Sequence, residues 1–259
     1  MAIYTIGDLH LSYGNPKPMN IFGDNWENHE EKIKKDWLEK VKEEDTVIHP
    51  GDFSWAMHLK DTYKDFEYLC SLPGKKLMLK GNHEYWWTTM TNMKNYLKEN
   101  NFNNIDFIQT NSIEVENKII CGTRGWTLHH LDTENSKKIL AREELRLELS
   151  IKDAIAKNTD GSKEIIVFMH YPPIIKENLD TGFMKILKKY NITRCFYAHL
   201  HGQSIEEAVE GNIDGIEFKL VSADALDFKL FKIWEVVNGD GAHLVTGIKW
   251  DILLSSVTK

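Results

Sequence analysis

The residues of this chain best equipped for chemistry fall in short polar clusters: Asp8 and His10, Asp52, Asn82 and His83, His170, then His199 and His201. Carboxylates and imidazoles are ordinary ligands of transition metals. Taken singly, each has a plain explanation. A lone histidine is more often a surface or core residue than a ligand, and Gly-Asp at a strand end is commonly a turn. Taken together, Asp-x-His, Gly-Asp, Gly-Asn-His-Glu, an isolated histidine and His-x-His follow in order between residues 8 and 201. Each cluster comes directly after a short apolar run. The joint pattern reads as a metal centre assembled from strand exits.

The elements that must position these residues are legible as hydrophobic patterning. Strands are expected at 2–7, 46–49, 76–80, 165–169 and 194–198, each ending in one of the clusters. In open α/β sheets the ligand crevice lies at the carboxyl ends of the strands, so these distant positions would converge. Helical spacing of apolar residues predicts helices over 27–43, 58–70, 85–99 and 137–157, with a shorter one near 181–190. Further strands are expected at 106–109, 112–116 and 118–122. The stretch from Ile205 onward is mostly strand-like, with a turn signal at Asn238-Gly239-Asp240-Gly241. The alternation gives an α/β fold, read as one domain over residues 1–259.

The blocks Gly7-Asp8-Leu9-His10, Pro50-Gly51-Asp52, Gly81-Asn82-His83-Glu84, Met169-His170 and Ala198-His199-Leu200-His201-Gly202 resemble the calcineurin-like metallophosphoesterase superfamily. The resemblance runs from residue 3 to about 202, with Ala198 where that family most often has glycine. It implies a four-layer αββα sandwich of two mixed sheets flanked by helices. It also implies two adjacent metal ions. Asp8, His10 and His201 would bind the first, Asn82, His170 and His199 the second, and Asp52 would bridge both. Imidazole-rich ligation favours Mn, Fe or Zn over Mg and Ca. Two divalent ions against two carboxylates leave a positive centre, so an acidic chain can still attract phosphate. Water held between the ions would attack the phosphorus. His83, outside the ligand set, would donate a proton to the leaving oxygen or stabilise it.

Two departures bear on the substrate. The Ser/Thr protein phosphatases of that family place an aspartate three positions after the Gly-Asp aspartate to orient the catalytic histidine; here that position is Trp55. Lys80 stands where those phosphatases have arginine. The opening Asp8-Leu9-His10-Leu11 looks instead like bacterial phosphodiesterase and nuclease branches. Phosphodiesters are therefore the favoured substrates, with a phosphomonoesterase or Ser/Thr-phosphatase-like activity as the alternative. A non-catalytic scaffold of the same fold would be marked by missing ligands, and here every ligand position is filled.

Composition narrows the partners. With 259 residues and a net charge of −7, the chain lacks the basic footprint of a duplex nucleic-acid binder. A small phosphorylated substrate, a nucleotide among them, is expected. No run of 18 apolar residues marks a membrane span. Cys70, Cys121 and Cys195 are widely spaced, as in a reducing compartment. Chemistry beginning at residue 8 leaves no room for a cleaved leader, so a cytoplasmic location is expected. Arg124 is a candidate phosphate clamp, and Trp55 and Trp126 are candidate substrate-stacking faces. His49 reads as a core residue, and His129 and His130 lie in a loop long enough to overhang the site.

Overall fold

The computed structural model describes residues 1–129 and 131–235. His130 and the expected turn at 238–241 therefore lie outside the described residues.

Strands β1 (Ala2–Thr5), β2 (Thr46–His49), β3 (Lys75–Met78) and β4 (Ile105–Phe107) run parallel in one sheet. Strand β11 (Phe231–Glu235) closes its edge antiparallel to β1, giving the order β11-β1-β2-β3-β4. The second sheet has the order β5-β6-β7-β8-β10-β9. It comprises β5 (Ser112–Val115), β6 (Lys118–Thr123), β7 (Glu164–Met169), β8 (Arg194–Tyr197), β9 (Gly211–Ile213) and β10 (Ile216–Leu220). Its central pairs are parallel and its two edge pairs antiparallel.

Period-two alternation sorts the strand side chains into layers. Ile3, Ile48, Leu77, Ile120, Ile166, Phe168 and Phe196 point between the sheets and form one buried core. Their neighbours Tyr4, Val47 and Met78 face outward onto helices α1 (His29–Lys40), α2 (Tyr63–Ser71) and α3 (Met90–Glu99) through Ile33, Trp37, Phe66, Leu69 and Met93. On the far side, Ile119, Cys121, Val167, Cys195 and Tyr197 meet α4 (Glu134–Lys157) and α5 (Gly182–Lys189) through Leu147, Ile151, Phe183 and Leu187. The result is a helix–sheet–sheet–helix sandwich, as the resemblance implied.

Several boundaries differ from the sequence reading, each for a local reason. The helix expected over 85–99 begins only at Met90, capped by Thr89, whose Oγ1 accepts from Asn92 N at 3.3 Å. Residues 85–88 form a turn instead, and it delivers Trp86 and Trp87 to the core. The 58–70 segment opens as a 3-10 turn, Leu59–Thr62, before α2. Helix α4 starts earlier than expected because Thr133 Oγ1 accepts from Ser136 N at 3.1 Å. The strands before the polar clusters stop short, at Thr5, Met78 and Tyr197, because the turns that follow take over the backbone.

Candidate metal centre

Five parallel strands end at the same edge of the sandwich. β1 delivers Asp8 and His10, β2 Asp52, and β3 Asn82 and His83; from the other sheet β7 delivers His170 and β8 delivers His199 and His201. The exits are sharp. Asp8, His10, Asp52 and His199 adopt left-handed backbone conformations, with φ of 57°, 45°, 57° and 77°. That region is uncommon for residues other than glycine and is mildly strained, a pattern concentrated at functional sites. The strain turns side chains that would otherwise alternate across the sheet toward one another.

Two donor sets result. Asp8, His10 and His201 form one, and Asp52, His170 and His199 the other, with ligand atoms in each set within 4.8 Å of one another. Asp52 Oδ2 lies between the sets, 3.8 Å from His10 Nε2 and 3.5 Å from His170 Nε2. Asn82 Oδ1 joins the second set, 2.7 Å from His170 Nε2.

The hydrogen bonds decide which atoms are free to bind a cation. His170 Nδ1 lies 3.2 Å from the Pro50 carbonyl, which can only accept, so Nδ1 carries the proton and Nε2 the lone pair. That lone pair faces the oxygens of Asn82 and Asp52, acceptor against acceptors. His201 Nδ1 donates to Asp224 Oδ1 at 2.8 Å, which leaves Nε2 facing Asp8 Oδ1 at 3.4 Å. Asp8 Oδ1, His201 Nε2 and His10 Nδ1 are buried without hydrogen-bond partners. Buried polar atoms without partners are costly, and a cation between Asp8 Oδ1 and His201 Nε2 would satisfy both. The donor set fits transition metals.

The titration behaviour points the same way. Burial pushes Asp52 well above the usual carboxylate range, and Glu84 and Asp8 push it further. Burial also drives His10 and His170 well below the usual histidine value and His199 down to about 4, so these imidazoles are neutral and able to coordinate. His201 is the exception. Burial opposes its charged form, yet Asp8 and Asp224 push it up to about 10, so without a cation between them its Nε2 holds a proton toward Asp8 that a bound metal would displace.

Two acidic residues not singled out in the sequence support the ligands. Asp224 holds His201 through Nδ1 and also accepts from Gly202 N at 2.9 Å, the carboxylate–histidine arrangement that orients a metal ligand. It follows the exit of β10, so the same strand-end rule could have found it. Glu84 accepts from the backbone N–H groups of Asp52, Phe53 and Gly81, tying the β2 and β3 exits together.

His83 lies beside the centre, its Nε2 3.9 Å from Asp52 Oδ2 and its backbone N–H donating to Asp52 Oδ1 at 2.8 Å. Trp55 packs against it, ring centroids 4.3 Å apart, and stacks on His10 at 4.8 Å and 20°. Arg124 is placed differently. Its guanidinium pairs with buried Glu143 at 3.6 Å and lies over Trp126, while Trp126 Nε1 donates to Ser136 Oγ at 2.9 Å. Trp126 belongs to the opposite flank, 5.8 Å from Tyr171, which itself lies 4.2 Å from His199. On that flank Leu128 and His129 reach the site, lining a small cavity of about 80 Å³ with His199. His49 is a core residue, with Nδ1 2.8 Å from the Ile6 carbonyl.

Residues 1–203 match the family model of the calcineurin-like phosphoesterases. No curated protein matches the chain. Among solved structures, the protein TT1561 of Thermus thermophilus is similar at 13% identity with a TM-score of 0.51, over 89% of this chain and 96% of that one. The protein of unknown function AQ665 from Aquifex aeolicus is 22% identical, with a TM-score of 0.46 over 89% and 95% of the two chains. The phosphopantetheinyl hydrolase from Mycobacterium tuberculosis is 15% identical, with a TM-score of 0.45 over 85% and 88%. The Thermus likeness is one of fold.

Proposed function

The chain belongs to the calcineurin-like phosphoesterase family, a metal-dependent phosphoester hydrolase, and from that premise we propose that it cleaves small phosphodiesters at a dinuclear centre bridged by Asp52. The observation that carries the dinuclear reading is the position of Asp52 Oδ2 within 4 Å of a histidine nitrogen from each donor set. Asp8, His10 and His201 would hold one cation, and Asn82, His170 and His199 the other. Mn, Fe and Zn suit this imidazole-rich set. Cations there would supply Lewis acidity toward the phosphoryl oxygens and an activated water.

The chain's own residues would do the rest. Burial, then Lys17, lowers His83 from its ordinary value, so near neutral pH it is a neutral imidazole with one N–H, on a ring that lines the cavity beside the centre. That N–H stabilises negative charge developing on the leaving oxygen. The cation count favours diesters. Arg124 is engaged by Glu143, and among the described residues lining the cavities beside the centre Lys17 is the one lysine or arginine, with no arginine fork to clamp a dianion. A diester monoanion needs less counter-charge than a monoester dianion. A nucleotide is one such small substrate.

Hydrolysis of bis(4-nitrophenyl) phosphate and 4-nitrophenyl phosphate with added Mn²⁺ tests the preference. Faster turnover of the diester is expected, and a clear monoester preference would overturn it. His83→Asn tests the leaving-group role: it should keep both metals yet lose roughly 10²–10⁴-fold in turnover. The loss should be larger on alkyl than on nitrophenyl esters, because an alkoxide needs stabilisation that a nitrophenolate does not. Equal losses, or a lost metal, would make His83 a ligand or a positioning group.

A further inference from the structure

Beside His83, a cavity of about 250 Å³ opens under residues 17–26, between β1 and α1. Its floor is made of His10, His83 and His201, so it adjoins the metal centre directly. Its walls are apolar. Trp26 is buried and meets both His10 and His201 edge-on, at 5.9 and 5.5 Å. Trp55 forms the facing wall, held by the contact of its Nε1 with Met19 Sδ at 3.1 Å. At the rim, Phe22 is 52% exposed and Ile21, next to it, 66% exposed. These are large apolar side chains left in water at the mouth of a site.

One cation breaks this apolar surface. Lys17 Nζ lies 3.1 Å from the centroid of the Trp55 ring and 5.8 Å from that of Phe22. Among the described residues no carboxylate lies within ion-pairing distance of it. The cation–π contact holds the ammonium over the cavity while leaving its hydrogen-bonding capacity for something else.

We propose that this cavity is the subsite for the leaving alcohol of the ester, and that it takes a flat aromatic group carrying a second anion, seated against Lys17. The inference rests on the function proposed above, since it assigns the cavity by its position next to His83. Its size falls just below the usual range for drug-sized ligands, about 300–1,000 Å³, which suits one or two fused rings rather than a polymer. The half-exposed Phe22 ring offers a flat aromatic partner a stacking surface at the rim, while Trp26, Trp55 and Met19 offer it apolar contact deeper in the cavity. Polyhydroxyl alcohols such as glycerol would leave their hydroxyls unpaired against Trp26 and Met19 and are selected against.

Calorimetric binding of 2-naphthol and 6-hydroxy-2-naphthoate to the Mn²⁺-loaded full chain tests the subsite without relying on turnover. The carboxylated probe should bind more tightly, and it should inhibit hydrolysis competitively. Lys17→Met should weaken 6-hydroxy-2-naphthoate about 3- to 5-fold and leave 2-naphthol unchanged, the scale of a partly exposed ion pair. Trp55→Ala removes an apolar wall of the cavity and should weaken both probes about tenfold. Because Trp55 also packs on His10, Phe22→Ala is the cleaner companion: it alters an exposed rim residue and should weaken both probes by a smaller factor. Equal affinity of the two probes, or affinities unmoved by Phe22→Ala and Trp55→Ala, would overturn the subsite even in an active enzyme. Saturable probe binding in a metal-loaded protein that hydrolyses no phosphoester would instead overturn the proposed function and, with it, the leaving-group assignment.

Discussion

At the scale of single residues, the centre is built on backbone that only close packing can hold. Gly81 shows how close: a Cβ there would collide with Asp52 Oδ1 and lie 2.5 Å from Asp52 N. Gly81→Ala should therefore displace the Asp52 carboxylate and fail to retain a full metal complement, as elemental analysis after dialysis would show. Asp52→Asn is the complementary change, nearly isosteric and without the charge. Among the described residues it removes the carboxylate placed between the two donor sets, so, if each set holds a metal as proposed, both should bind less tightly. A variant that kept two tightly held metals and near-normal turnover would show that Asp52 does not bridge. Asp224→Asn spares every proposed ligand but weakens the support of His201. Loss of such a partner commonly costs roughly 10- to 100-fold in metal affinity, and that loss should be confined to one of two binding events in a titration.

At the scale of elements, the critical device is the pair of turns after β2 and β3. The Glu84 carboxylate satisfies three backbone N–H groups from both turns and is wholly buried. Burial raises its pKa to about 7, while the three N–H bonds pull the other way. Glu84→Ala would leave those N–H groups buried and unpaired, at about 1–3 kcal/mol each, so a loss of about 3 kcal/mol or more is expected in urea unfolding. Glu84→Gln retains one acceptor oxygen and should lose less. Equal stability of the two variants would mean the turns hold without the clamp.

At the scale of the whole molecule, each donor set draws on both sheets. Asp8 and His10 face His201 across the sandwich, and Asp52 and Asn82 face His170 and His199. Bound metals would fasten the sheets together at their carboxyl edges, beyond the reach of the apolar core between them. A ligand at a hundredfold excess over its Kd stabilises the native state by about 2.7 kcal/mol per site. For a chain of this size that corresponds to a Tm shift of roughly 5–10 °C per site. Calorimetry with and without a chelator should show a drop of that order, larger if both sites fill. An unchanged Tm would argue against cations linking the sheets. Among the described residues no helix is long and apolar enough to cross a membrane.

Much of this was legible in the sequence because its signals are local. A short apolar run followed by Gly-Asp or Asn-His announces a strand and its exit, and the donor types at those exits name the chemistry. The layers were legible only through the family resemblance, because a continuous apolar run such as 165–169 does not say which side chain faces which layer. Local patterns failed where tertiary contacts set the outcome. Leu38 and Ile155 fit helical apolar spacing yet are exposed, because no neighbouring layer covers them. Arg124 follows a strand into the site region, but the buried Glu143 carboxylate captures it. Asp224 is a lone aspartate until β10 pairs beside β8 and carries it to His201. Lys17 and Phe22 carry no pattern at all, and only the path of the chain between β1 and α1 sets them over His83. Sequence determined which groups exist and where each strand releases them. The packing of one sheet on the other decided which of them meet, because distances between strand ends depend on contacts made far along the chain.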